Sequence, residues 1–126
     1  MSHTFIVAAA VLGFIGVGLG AFGAHGLAAI LEANGRADTF DTATQYLLIH
    51  ALALLATALL QERNPTQRLL RWAGWLFMVG AVIFAGSLYV LAIFNLRFMG
   101  AVAPFGGLAL LGGWACLGLA AWHGRE

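Results

Sequence analysis

Of the 126 residues, 62% are apolar, 9% are charged and 17 are glycine, with a formal net charge of +1. This excludes a disordered tail and fits a water-soluble domain badly. All six basic residues are arginine and they are scattered, so the dense basic surface that nucleic-acid binding needs is missing.

The charges fall in short clusters and leave uncharged runs at residues 1–31, 42–61, 72–96 and 98–124. A bilayer crossing takes about 20 residues, so each run is long enough to span. The composition therefore predicts an all-α, polytopic membrane protein, a single transmembrane domain built as a four-transmembrane-helix antiparallel bundle. Cys116, the single cysteine, lies inside the last run and has no partner for an intrachain disulfide.

The first helix is expected over about 4–31, ending at Asn34-Gly35, residues suited to a left-handed cap. That length exceeds one crossing, so the helix either tilts out of the membrane or breaks near Gly23 and Gly26. Ala21-Phe22-Gly23 has the small-x-small look of a signal-peptide cleavage site. The segment lacks a basic start, and its apolar stretch exceeds the usual roughly 7 to 15 residues, so it reads as a retained helix. Thr42, followed by Gln45, resembles a capping box and opens a second helix over about 42–61. Pro65-Thr66 precedes a third over about 67–94. Pro104 fits the first turn of a fourth over about 103–122, where a missing N–H costs nothing. Short connections make neighbours antiparallel, in a compact up-down-up-down arrangement.

Arg63, Arg68, Arg71 and Arg125 fall on one side of this arrangement and Arg36 and Arg97 on the other. Basic residues are retained inside, which places both termini in the cytoplasm. Trp72, Trp75 and Trp122 mark the same boundary, as interfacial anchors do.

Two stripes of small residues recur at helical spacing: Ala9, Gly13, Gly16, Gly20 and Gly23 in the first helix, and Gly106, Ala109, Gly113, Cys116 and Ala120 in the fourth. In lipid, helices associate through close backbone packing, so these stripes are expected to be packing surfaces within the bundle or between subunits.

On the second helix Thr42, Tyr46, His50, Ala53 and Thr57 share a face that is polar within an apolar segment. At about 1.5 Å per residue, His50 falls about 12 Å below Thr42, with Ser87 and Tyr89 of the third helix and His25 of the first in the same outer half. An ionisable residue inside a membrane marks a site by default. His25, Tyr46, His50, Ser87 and Tyr89 are thus the candidate ligand-binding residues, or else a polar layer that fixes helix register. His50 and Ser87 as base and nucleophile lack an acidic orienter and an oxyanion donor. His25 and His50 as haem or copper ligands lack a third ligand, so no metal site, catalytic residue or cofactor is expected.

Gly20-Ala21-Phe22-Gly23-Ala24-His25-Gly26, Tyr46 with His50-Ala51-Leu52-Ala53-Leu54-Leu55, Gly86-Ser87-Leu88-Tyr89 and Pro104-Phe105-Gly106-Gly107 follow one another in an order and spacing that resembles a known family. It is the domain of unknown function 423 family of small bacterial inner-membrane proteins, related to eukaryotic transmembrane protein 256. The resemblance spans nearly the whole chain. Leu47 and Ala103 depart from the family's usual Gln and Thr, so no role for that amide or hydroxyl carries over. The resemblance implies a four-helix membrane protein and brings no activity with it.

Two functions are compatible with this reading. One is a non-enzymatic structural or accessory subunit, or a homo-oligomer, in a bacterial inner membrane, with the lipid bilayer as partner and no nucleic acid. The other is a small transporter or channel that takes a small ligand, proton or ion at the polar layer.

Overall fold

A computed structural model describes residues 1–124. Arg125, counted in the orientation argument, lies outside the described residues. Five helices follow in order: α1 (Ser2–His25), α2 (Ala28–Asn34), α3 (Ala37–Arg63), α4 (Arg68–Phe94) and α5 (Met99–His123). Four of them, all but α2, are long and apolar enough to cross a membrane.

The long first segment breaks at Gly26-Leu27. The Leu27 N–H reaches back to the Phe22 carbonyl at 3.1 Å, a five-residue step, and α2 then restarts with Leu31 bonded to Leu27. Phe22's ring lies where a side chain on residue 26 would stand, so glycine lets that ring fold over the break. Gly35 closes α2 in the left-handed region at φ 66°, as the Asn34-Gly35 pair predicts.

Two helix starts differ from expectation. α3 begins at Ala37, five residues before Thr42, and the Thr42 hydroxyl donates to the Asp38 carbonyl inside the helix at 3.0 Å instead of capping it. The uncharged run marks the part fit for lipid, and the helix continues past it through Asp38 and Asp41. Likewise α5 starts at Met99, so Pro104 is interior to it. Met99, Gly100 and Ala101 bond three residues back to Leu96, Arg97 and Phe98, a tight opening turn that begins the helix ahead of the proline.

The contacts between helices fix an antiparallel register. Gly16 meets Leu48 and Gly23 meets Phe40 between α1 and α3. Phe40 meets Tyr89, and His50 meets Phe77, between α3 and α4. Gly80 meets Leu110, Gly106 meets Phe84, and Gly113 meets Phe77 between α4 and α5. This gathers residues 1–3, Arg63, Arg68, Arg71 and His123 at one end of the molecule, and α2, Arg36 and Arg97 at the other.

The expected compact bundle is corrected in one respect: its fourth side is open. α3 packs between α1 and α4, and α4 packs on α5, while α1 and α5 make no comparable contact. α1 touches α4 through Phe5, whose ring occupies the space left by Gly74 and meets Trp75 edge-on at 5.5 Å. The small-residue stripes explain the packing of α1 on α3 and of α5 on α4. Gly16, Gly20 and Gly23 face Leu48, Thr44 and Phe40, and Gly106, Ala109 and Gly113 face Phe84, Gly80 and Phe77. Gly13 has open space over it and borders an apolar cleft instead.

Around this core the outward surface is apolar. Phe14 is 82% exposed, and Val7, Val17, Leu52, Phe105, Leu108 and Leu111 are exposed with it. A contiguous apolar exterior of this extent is a lipid-facing surface, since monomeric soluble proteins rarely show such patches.

Candidate functional site

His50 is 5% exposed at the middle of α3 and is held from two helices. Its Nδ1 lies 2.7 Å from the Tyr46 carbonyl oxygen, one turn earlier. Its Nε2 lies 3.0 Å from Trp114 Nε1 on α5. A carbonyl only accepts and an indole N–H only donates, so Nδ1 carries the proton and Nε2 accepts: the neutral Nδ1–H tautomer is selected. Rings enclose the imidazole. Tyr46 stacks on it at 5.9 Å and an interplanar angle of 19°, and Phe77 and Trp114 each lie 5.9 Å away. Phe77 and Trp114 are themselves edge-on at 5.1 Å. Phe77 is sealed, with no exposure, and its ring fills the space above Gly113, so a small residue on α5 creates the room that the His50 cage uses.

The other expected site residues do not join this centre. Tyr46 contributes its carbonyl and ring, while the side chain stays 43% exposed against Phe84. Tyr89 lies at a different level, its hydroxyl 2.9 Å from Thr44 Oγ1. Thr44 is in turn 3.2 Å from the Phe40 carbonyl, so Tyr89 donates to Thr44 and Thr44 to Phe40. Ser87 is buried, and its hydroxyl donates to the Phe84 carbonyl of its own helix at 2.9 Å. His25 is exposed at the end of α1. Register with Asp38 puts it about 18 Å along the axis from His50.

The polar residues thus form two levels. Thr44 and His50 are six residues apart on α3, about 9 Å. The His50 partners Phe77 and Trp114 lie nine residues, about 14 Å, from the arginine-rich ends of α4 and α5.

Four contributors escaped the sequence reading. Trp114 had a signal: the other tryptophans sit at helix ends, whereas an indole N–H in mid-helix has to find an acceptor. Thr44 lies one turn from Phe40 and had no such mark. Asn34 donates to the Ala92 and Ile93 carbonyls at 3.0 and 3.1 Å, tying α2 to the last turn of α4, whose carbonyls lack helical partners. Gln61 is 4% exposed, and its Oε1 is buried without a donor.

Among the described residues no three His, Cys, Asp or Glu side chains gather as a metal site would need. What the arrangement can do chemically is limited. His50 has committed one ring nitrogen as donor and the other as acceptor, both within the molecule, and Ser87 does not touch it.

Four candidate spans and an apolar exterior define a multi-pass membrane protein. The family model described as "Protein of unknown function (DUF423)" matches residues 19–107. Curated relatives are named UPF0382 membrane proteins. One from Staphylococcus saprophyticus is 41% identical over 113 residues, covering 90% of this chain and 92% of the relative. YwdK of Bacillus subtilis is 38% identical over 117 residues, covering 93% and 94%. One from the yeast Schizosaccharomyces pombe is 36% identical, covering 86% and 93%. The chain belongs to the DUF423/UPF0382 membrane protein family, as its motifs predict. No solved structure matches it.

Proposed function

We propose that the chain is a non-enzymatic integral membrane protein, a homo-oligomer or accessory subunit of a larger membrane complex, whose buried polar contacts set helix register. It resides in a bacterial inner membrane with both termini cytoplasmic. The observation that carries this reading is the His50 centre: Tyr46 and Trp114 occupy both ring nitrogens, so α3 and α5 are joined and neither nitrogen is left for a ligand. The Tyr89–Thr44 pair does the same between α4 and α3. Ser87 spends its proton within α4, which argues against a serine hydrolase.

A groove on the outer surface of the α1–α3 pair supports assembly. An apolar cleft of about 460 Å³ runs between α1 and α3, bordered by Ile6, Ala10, Gly13, Leu48 and Leu52, and Gly13 leaves room in it for a close helix approach. Arg63, Arg68 and Arg71 at the end shared by residues 1–3 and His123 support the cytoplasmic placement of both termini.

The test pairs assembly with flux. His50→Ala is expected to lower bundle or oligomer stability, with proteoliposomes of the wild-type chain passing no ions or small solutes at any pH tried. Normal assembly of the variant together with loss of a wild-type flux overturns the reading in favour of a transporter or channel at the polar layer.

A further inference from the structure

At the arginine-rich end, a cleft of about 360 Å³ opens between the start of α1, the end of α3 and the start of α4. Ser2, His3, Gln61, Glu62 and Arg71 line it, so a cationic side, an anionic side and an amide face one space. The amide is the unusual member. Gln61 is 4% exposed, and its Oε1 is sealed with no hydrogen-bond donor. A buried acceptor left without a donor is destabilising, and native structures rarely retain one without a use. A half-turn about the last side-chain bond exchanges Oε1 with Nε2, the end of the amide that is not sealed, and presents the oxygen to the cleft.

Arg71 also lines a second, shallower cleft with Arg68, Trp72 and Trp75 on the outer surface of α4. Trp72 is exposed, and tryptophans at this level mark the headgroup region of a bilayer. A molecule with its anionic group on Arg71 therefore has a polar cleft on one side and a lipid-facing aromatic surface on the other. A guanidinium suits a phosphate oxygen pair, and an ammonium suits a carboxylate and an amide oxygen.

We propose that this cleft binds the headgroup of an aminophospholipid, with the phosphodiester on Arg71 and His3, the ammonium on Glu62 and Gln61 Oε1, and the acyl chains running over Trp72 and Trp75. The assignment is independent of the His50 centre and of any transport or scaffold role.

The experiment is native mass spectrometry of the full-length protein, stripped of lipid in detergent and titrated separately with phosphatidylethanolamine, phosphatidylglycerol and inorganic phosphate. One phosphatidylethanolamine should bind in preference to the other two, and Arg71→Gln and Gln61→Leu should each weaken it about tenfold. Arg63→Gln, a charge lost at the same end but away from the cleft, should leave binding unchanged. Thermal unfolding separates folding from binding: Gln61→Leu should melt higher than wild type without lipid and lose the lipid-induced rise. The proposal is overturned by equal binding of phosphatidylglycerol, by displacement with inorganic phosphate, by an equal loss in Arg63→Gln, or by binding that survives Gln61→Leu. A lower melting point for lipid-free Gln61→Leu also overturns it, because the amide would then have a partner within the fold.

Discussion

Replacing Gly106 with alanine tests the packing account at its tightest point. A Cβ there would overlap the backbone of Phe84, with the Phe84 Cα 2.7 Å away, so a main chain and not a movable side chain stands in the way. Gly→Ala within a helix gains up to about 1 kcal/mol from propensity. Overpacking costs about 1–3 kcal/mol and sometimes more, with backbone obstacles at the upper end because relief requires α4 and α5 to separate. The net expectation is a loss of about 1–2 kcal/mol. Gly113→Ala is intermediate, since its obstacle is the ring of Phe77, and Gly118→Ala, with open space around it, should be neutral or slightly stabilising. Unfolding in mild detergent with increasing sodium dodecyl sulfate, followed by circular dichroism, ranks the three. Equal stability of Gly106→Ala and Gly118→Ala would refute the register of α4 on α5.

Three further outcomes follow from the geometry. Trp114→Phe keeps an aromatic ring but removes the N–H donor to His50 and part of the packing, and a cycle with His50→Ala should show a coupling of about 0.6 to 1.7 kcal/mol. Asn34→Ala frees the Ala92 and Ile93 carbonyls, and hydrogen exchange should rise in α2 and the last turn of α4 while the centre of α3 is unchanged. Gly35→Ala forces a side chain into the left-handed region and should lower stability by about 1 kcal/mol, whereas Gly35→Asn should recover part of the loss.

The sequence made the four spans legible because lipid penalises charge so heavily that uncharged runs and crossings nearly coincide. The same penalty says nothing about where a helix starts outside the lipid, which is why Thr42 and Pro104 both proved interior. The small-residue stripes pointed to the right packing faces, with Gly13 the exception: spacing alone does not reveal which edge of a stripe meets a helix and which is left open. The polar layer was visible as residue types but not as partnerships. Tyr46, His50, Ser87 and Tyr89 were grouped by depth along their own helices. Ser87 bonds within its own helix, the Tyr89–Thr44 bond depends on the slide of α4 on α3, and the Trp114–His50 bond depends also on the slide of α5 on α4, where Phe77 meets Gly113 and Phe84 meets Gly106. Trp114 was the one partner that its own chemistry could have announced.

The central claim is that His50 is fully engaged inside the molecule. Nitrogen-15 NMR of histidine-labelled protein in lipid reads it directly. The account predicts one histidine with a protonated Nδ1 and a hydrogen-bonded, unprotonated Nε2, whose Nε2 signal shifts in Trp114→Phe and stays fixed when solutes are added. An Nε2–H tautomer, an imidazolium, or a His50 signal that ignores Trp114 and follows an added solute would contradict it.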